Sequence, residues 1–443
     1  MKTYSATFLV SAAVLTLLCP TTVLAADKAL LDILLGNGAI DQAQYDELLA
    51  KDTLETEDVV NIGFADGSGL KVTSADGDFE LEIGGRLQAD AITHSYDPRI
   101  GTDPISGTQV RRGRIELDGV FSSRWGYAAE FDFAKNEVAL KDLKLGYLGQ
   151  DGASFYFGHQ KQPYSLSMEM STNDTPFVER SVDNFLVATF LDRAIGARYE
   201  SSGDNWFFAG GVYGDGLKAG LETGDEGWGT SGRFNYSPVI EYDRVLHLGI
   251  RAAYREADVA SPTIAIKDKT TDFSELSIVN TGTLIDAESV TLFGPEFAAA
   301  KGPLYVFAEH TSTVVTRTAA PDLTFSGWHA AAAWSLTGES RADAYQISSG
   351  EFKGLRPNKH FDWANGGFGA WEIAARYAEI DLNDADVVGG EEDALSIALN
   401  WYPNRNVRIM ADWSRILNTD ESNQIRLYAP DMDIFTLRTQ WNF

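Results

Sequence analysis

Ten basic residues, Arg86, Arg112, Arg114, Lys144, Arg198, Arg251, Arg255, Arg376, Arg408 and Arg438, hold polar positions in runs where every second residue is apolar. A guanidinium presents a planar fork of N–H donors that fits an oxyanion, and low-dielectric walls focus its field across a narrow passage. The same alternation puts Glu82, Asp90, Glu116, Asp118, Glu130, Asp132, Glu372 and Asp412 on that face. Each arginine therefore also has acids available as wall partners. Arg86, Arg111, Arg112 and Arg114 lie closest together and are the candidates for an anion-attracting patch. Arg111 breaks the alternation, so the period does not fix its aim. Catalytic chemistry has less to work with. The six histidines are scattered without metal-ligand spacing, and no serine elbow or phosphate-cradling glycine loop stands out. No enzyme, metal or cofactor is expected. An outer-membrane hydrolase would need a histidine beside a serine or acid at the outer rim.

The elements that carry these residues read as β-strands. Leu81, Ile83, Gly85, Leu87 and Ala89 alternate with Glu82, Arg86, Gln88 and Asp90. Ile115, Leu117, Gly119 and Phe121 alternate with Arg114, Glu116 and Asp118. The pattern returns at 125–133, 246–254, 328–336, 371–377, 395–401 and 407–413. Alternation of charged and large apolar residues over eight to ten positions describes a strand between lipid and water. Many of these runs begin or end on an aromatic residue, as an interfacial girdle requires. At ~10 residues per membrane strand plus turns and loops, residues 79–443 make an all-β, antiparallel transmembrane β-barrel of about sixteen to eighteen strands. That size leaves an aqueous channel. A soluble β-sandwich would need shorter strands and two apolar inner faces.

Three further segments precede the barrel. Residues 1–25 have the layout of a secretory signal: Lys2, the apolar stretch from Phe8 to Leu18, Pro20, and a small-residue site with cleavage after Ala25 or Ala26. The only cysteine, Cys19, lies inside it. Residues 26–56 read as two short helices, the first closed by Gly36-Asn37-Gly38 and the second capped by Asp41. Residues 57–78, rich in Gly and Asp, read as a linker. No stretch approaches 18 continuous apolar residues, so helical spans are excluded. A formal net charge of −28 argues against a nucleic-acid partner. Acidic loops account for the charge, and divalent-cation bridging to lipopolysaccharide is the sharper use for it. The acidic run Asp381, Asp384, Asp386, Glu391, Glu392 and Asp393 also fits a structural anchor or adhesin. The last strand carries Phe435, Leu437, Trp441 and Phe443. An aromatic C-terminal strand is suited to edge capture by the barrel assembly machinery, which makes Trp441 and Phe443 the assembly signal.

Specific motifs bear a family likeness. Ile83-Gly84-Gly85-Arg86-Leu87-Gln88-Ala89-Asp90 and Val110-Arg111-Arg112-Gly113-Arg114-Ile115-Glu116-Leu117 resemble the opening strands of the phosphate-selective porin O and P family. Gly158, Lys161, Pro163 and Tyr164, with Phe177, Glu179 and Arg180, resemble its inward-folded loop. Leu336-Thr337-Gly338-Glu339, Ala370-Trp371-Glu372, Arg376-Tyr377 and Asn400-Trp401-Tyr402 resemble its closing strands. The resemblance spans residues 79–443 and implies an outer-membrane homotrimer of sixteen-stranded barrels that passes small anionic or neutral solutes. Residues 159–193 are then the constriction loop. Residues 256–295 hold only Lys267 and Lys269 as basic residues, which departs from the closely spaced arginines of phosphate-specific members. Weak anion preference, with phosphate and other small oxyanions entering, is the expectation.

Overall fold

The computed structural model describes residues 28–48, 60–64, 69–95, 106–149, 152–217, 226–257, 263–269, 271, 273, 276–419 and 432–443. The expected leader, its cleavage point and Cys19 lie outside these residues. Two compact units result, an N-terminal one and a large one.

The N-terminal unit contains α1 (Lys28–Gly36) and α2 (42–48). Gly38, at φ 66°, takes the left-handed turn after α1. Asp41 and Gln44 then form a reciprocal capping box. The Gln44 amide donates to Asp41 Oδ1 at 2.8 Å, and the Asp41 amide donates to Gln44 Oε1 at 3.0 Å. Tyr45 is buried and ties the helices together by donating to Asp32 at 2.7 Å.

The large unit opens with a hairpin, β1 (Asn61–Phe64) and β2 (Leu70–Thr73). The linker expectation for 57–78 is therefore corrected over this stretch. β3 (Phe79–Ser95) starts before its other neighbour ends, leaving an unpaired edge at 80–83 that β2 covers. Four-residue strands have too little pattern to announce themselves without that edge.

The wall continues with β4 (Gly107–Phe121), β5 (Trp125–Asp132), β6 (Ala139–Leu148), β7 (Ala153–Lys161) and β8 (Arg193–Ser202). Next come β9 (Trp206–Tyr213), β10 (Gly229–Glu241), β11 (Arg244–Glu256), β12 (Ala287–Lys301), β13 (Leu304–Arg317) and β14 (Leu323–Ser335). A two-stranded insert, β15 (Tyr345–Gln346) and β16 (Glu351–Phe352), precedes β17 (Ala370–Asp384), β18 (Val387–Tyr402), β19 (Val407–Thr419) and β20 (Met432–Asn442). β20 pairs with β3, from Asp433↔Ser95 to Asn442↔Arg86, and closes sixteen antiparallel strands into a barrel. Phe443 extends the closure by exchanging backbone hydrogen bonds with Gly85.

Side chains sort as the alternation requires. Phe155 and Phe157 on β7, Phe293 and Phe297 on β12, and Leu437 and Trp441 on β20 face outward. Trp125 meets Tyr147, and Trp371 stacks on Trp401, at the end where β3 begins and β20 finishes, the barrel's termini end; Trp228 meets Tyr254 at the opposite end. Turns at the termini end are short, except one. Residues 336–369 leave β14, run into the barrel and return to β17. The expectation that Leu336 to Glu339 continue a strand is thus corrected. β14 ends at Ser335, whose hydroxyl accepts the Gly338 and Glu339 amides and turns the chain inward.

The lumen is not uniformly wet. Leu166, Met170 and Phe177 pack with Tyr305, Phe307, Phe352 and Ala374 in a buried cluster. Tyr164, Leu186 and Leu191 pack with Leu292, Val315, Phe325 and Ile266 in another. The inner face of β12–β14 therefore offers apolar patches among a few buried polar groups, Glu296, Glu309 and His329, and the loops dock there. The inner face of β3–β8 stays polar and lines open space.

Candidate functional site

β7 and β8 are joined by residues 162–192, which cross the lumen; His159, Gln160 and Lys161, expected in the loop, belong to β7. The loop is anchored by wall side chains that answer its backbone groups. Glu296 and Glu309 accept the Leu166 and Ser167 amides, both at 2.9 Å. Arg408 donates to the Asn173 and Thr175 carbonyls, Arg438 to that of Val178 and Arg376 to that of Glu179, and Arg341, on the 336–369 excursion, adds a bond to that of Asp174. Pro163 and Tyr164 are buried, with Arg251 over the Tyr164 ring at 5.1 Å.

Glu179 is the electrostatic centre of the loop. It takes Arg111 at 2.9 Å, Arg438 at 2.8 Å and Arg112 at 3.4 Å. Burial opposes its ionisation, yet Arg112, Arg111 and Arg438 hold its carboxyl well below the usual range. Arg111 reaches this cluster because of a β-bulge. Gln88 pairs with Arg112 and Ala89 with Val110, so Arg111 is the extra residue and turns inward beside Arg112. A second bulge does the same on β6: Glu130 pairs with Asp142 and Phe131 with Leu140, which aims Lys141 into the lumen.

The other expected arginines are paired. Arg86 holds Glu116 and donates to Ser171 Oγ at 3.0 Å. Arg114 holds Glu130 and, at 2.8 Å, Asp132. Lys161 donates only to the Met168 and Glu169 carbonyls, and Arg180 only to those of Ser167, Met168 and Met170. Among the described residues, neither forms an ion pair, so no bound carboxylate offsets either cation. The same holds for Lys141 and for Lys144, which lies over the Tyr156 ring at 5.0 Å.

A cavity of about 480 Å³ brings together Arg86, Arg111, Arg112, Arg114, Lys161 and Arg180, all singled out from sequence, with Lys141, Lys144, Arg193 and Arg198. Six acids, Glu130, Asp142, Glu169, Asp192, Glu200 and Glu351, also line it. Ten cations against six anions leave a surplus of positive charge among the residues that line this cavity. Arg111, Arg112 and Arg180 also border a second cavity of about 270 Å³. A third, of about 390 Å³ at the termini end, is balanced: Lys353, Arg356, Arg405 and Arg408 against Glu82, Glu116, Asp118 and Asp174. The Arg86–Glu116 pair sits on the divide, one partner in each cavity. Sequence reasoning missed Lys141 and Arg193. Only pairing with β5 reveals the slip that aims Lys141, and Arg193 stands at the loop boundary, before its strand's alternation is established.

Two other groupings bring polar side chains together. Ser167 Oγ lies 3.5 Å from His329 Nε2, and His329 Nδ1 lies 2.9 Å from Asp183. Ser181 also contacts Nδ1 at 3.1 Å, and His329 and Asp183 are buried between loop and wall. Ser167 lines none of the three cavities. The cluster fastens the loop. At the outer rim, Glu379, Glu391 and Asp393 bring carboxylate oxygens within 4.8 Å of one another.

Comparisons follow from this geometry. Residues 81–443 match the family described as "Phosphate-selective porin O and P". Porin O of Pseudomonas aeruginosa is 26% identical over 431 residues, 88% of this chain and 94% of that protein. An uncharacterized protein of Caulobacter vibrioides is 29% identical over 77% of this chain and 68% of its own length. The fold is similar to an anion-selective porin from Comamonas acidovorans, with TM-score 0.53, 12% identity, and coverage of 82% of this chain and 100% of that one. It is also similar to the outer membrane channel DcaP of Acinetobacter baumannii, with TM-score 0.51, 10% identity, and coverage of 82% and 97%.

Proposed function

Because the chain belongs to the phosphate-selective porin O and P family, and so forms an outer-membrane channel, we propose that it passes small solutes by diffusion with a weak preference for anions. The observation that carries the reading is the surplus of ten cations over six acids around the constriction cavity. Phosphate and other small oxyanions are admitted without a tight, phosphate-exclusive site. Arg86, Arg111, Arg112 and Arg114 draw anions in, although their carboxylate partners offset part of their field. Lys141, Lys144, Lys161 and Arg180 supply the unbalanced part. Pro163, Tyr164 and Glu179 hold the loop that narrows the passage.

The barrel works as a homotrimer in lipid and lipopolysaccharide. The carboxylates at Glu379, Glu391 and Asp393 support divalent-cation bridging to lipopolysaccharide at the outer rim. The terminal Phe443 serves capture by the barrel assembly machinery, and residues 26–56 form a periplasmic helical segment. No enzymatic step is assigned, since the Ser167–His329–Asp183 contact has no substrate space among the described cavities.

The deciding experiment is the reversal potential of the purified protein in a planar bilayer across a potassium chloride gradient. A modest anion-favouring potential is expected. A strongly cation-selective pore would overturn the proposal.

A further inference from the structure

The excursion at 356–369 carries aromatic surface that the pore does not use. Trp363 is 85% exposed and Phe368 65% exposed. They are held out by a small hydrogen-bonded turn. Asp362 and Gly367 exchange backbone hydrogen bonds at 3.0 and 2.9 Å, and Asp362 Oδ1 and Oδ2 accept from the Ala364 amide and the Asn365 side chain. Gly366, at φ 68°, makes the reversal. Large rings in water are unfavourable, and a structured turn that presents two of them invites cover.

What covers them is indicated by what they adjoin. Phe361 meets Trp401 edge-on at 5.2 Å, Trp401 stacks on Trp371 at 5.6 Å, and the Trp401 indole donates to the Phe368 carbonyl at 2.9 Å. Trp371 and Trp401 belong to the lipid-facing side of β17 and β18, so the turn continues the aromatic girdle at the termini end. Lys359 and His360 are exposed on the same excursion. Amphipathic rings beside cations match the headgroup region of a phospholipid leaflet, where indoles settle and anionic phosphates attract bases. Dry cores of protein interfaces are poor in lysine.

We propose that residues 356–369 are a membrane-interface anchor, with Trp363 and Phe368 inserted at the headgroup level of the phospholipid leaflet nearest the termini. The claim rests on the barrel's membrane location and not on its ion preference.

The test uses a Cys19→Ser background with Trp363→Cys, and separately Phe368→Cys, each carrying an environment-sensitive fluorophore. The full chain is reconstituted in vesicles of phosphatidylethanolamine and phosphatidylglycerol. A nitroxide on the lipid headgroup should quench both labels severalfold, while iodide on both sides quenches them severalfold less than the free dye. Iodide quenching equal to the free dye, without lipid quenching, would place the turn in water and overturn the proposal. Protection from both quenchers would place it against a second copy of the chain, and would overturn it equally.

Discussion

Lys141 and Lys144 allow the charge argument to be tested without disturbing the wall. Both face the 480 Å³ cavity, and neither is ion-paired among the described residues. Replacing both with Gln removes two charges and strands no carboxylate, whereas Arg114→Gln would leave Glu130 and Asp132 facing each other. An anion passing ~6 Å from one ammonium gains about 0.7 kcal/mol at the dielectric constant of water. Losing both costs it about 1.4 kcal/mol, roughly tenfold in occupancy. Mobile counterions reduce that figure, because the Debye length is ~10 Å at 0.1 M and ~3 Å at 1 M. The expected result is an anion-to-cation permeability ratio lowered severalfold, up to roughly tenfold, at low salt and little changed at 1 M. Reversal potentials across potassium chloride gradients at the two strengths measure it. A ratio that stays the same at low salt, with normal conductance, would refute the view that net cavity charge sets selectivity.

Arg341→Ala should free residues 336–355 from the lumen, since it breaks a buried pair with Glu372 at 2.8 Å; a cost of about 3–5 kcal/mol is expected, read as lower thermal stability and noisier conductance. Glu179, held low by its arginines, keeps its contribution above the ordinary carboxylate range and loses it only as pH falls through its lowered value. Conductance should therefore hold at about pH 4.3, an ordinary glutamate midpoint, and change on further acidification. Asp268 behaves in the opposite sense. Burial pushes it up to about 7 beside Glu392, so the docking of loop 263–286 is intact when Asp268 is protonated and weakens as pH rises through that value, with faster limited proteolysis as the readout. Removing Phe443 costs the two closing bonds to Gly85 and should lower the yield of heat-modifiable barrel more than the conductance of what assembles. Deleting residues 26–56 should leave conductance unchanged in single-channel records.

The strands were legible because one side chain in two meets lipid on β3, β4, β7 and β20. The crossing loop was legible because alternation fails after Lys161 and returns at Arg193. The bulges at Arg111 and Lys141 were not, since a register slip exists only relative to the partner strand, and partners 9 to 24 residues away leave no trace in the strand's own alternation. Nor was the apolar inner face of β14. Phe325, Ala331 and Ala333 face in while Trp328, Ala332 and Trp334 face out, so alternation marks the strand but does not say that distant loops, not water, meet its inner side. The inward turn at Ser335 hid because Leu336 prolongs the strand pattern by one residue. Among the site residues, sequence located the arginines but not their partners, and the partners decide how much charge each contributes.

That division bears on why the preference should be weak. A tight oxyanion site needs guanidinium forks whose donors are free to converge on the ligand. Here Arg111, Arg112 and Arg438 spend theirs on Glu179, Arg86 on Glu116 and Ser171, and Arg114 on Glu130 and Asp132. Arg180 spends its on loop carbonyls. A passing phosphate must break such bonds to be gripped, which offsets most of what it gains, so it is attracted at range and held only loosely. The same bonds fix the loop across the lumen. Freeing an arginine by Glu179→Gln should strengthen anion preference by one unit of charge while loosening the loop, and the two effects separate experimentally: the first appears as a reversal-potential shift toward anions, the second as greater open-channel noise. A variant with neither change would show that Glu179 governs neither field nor position.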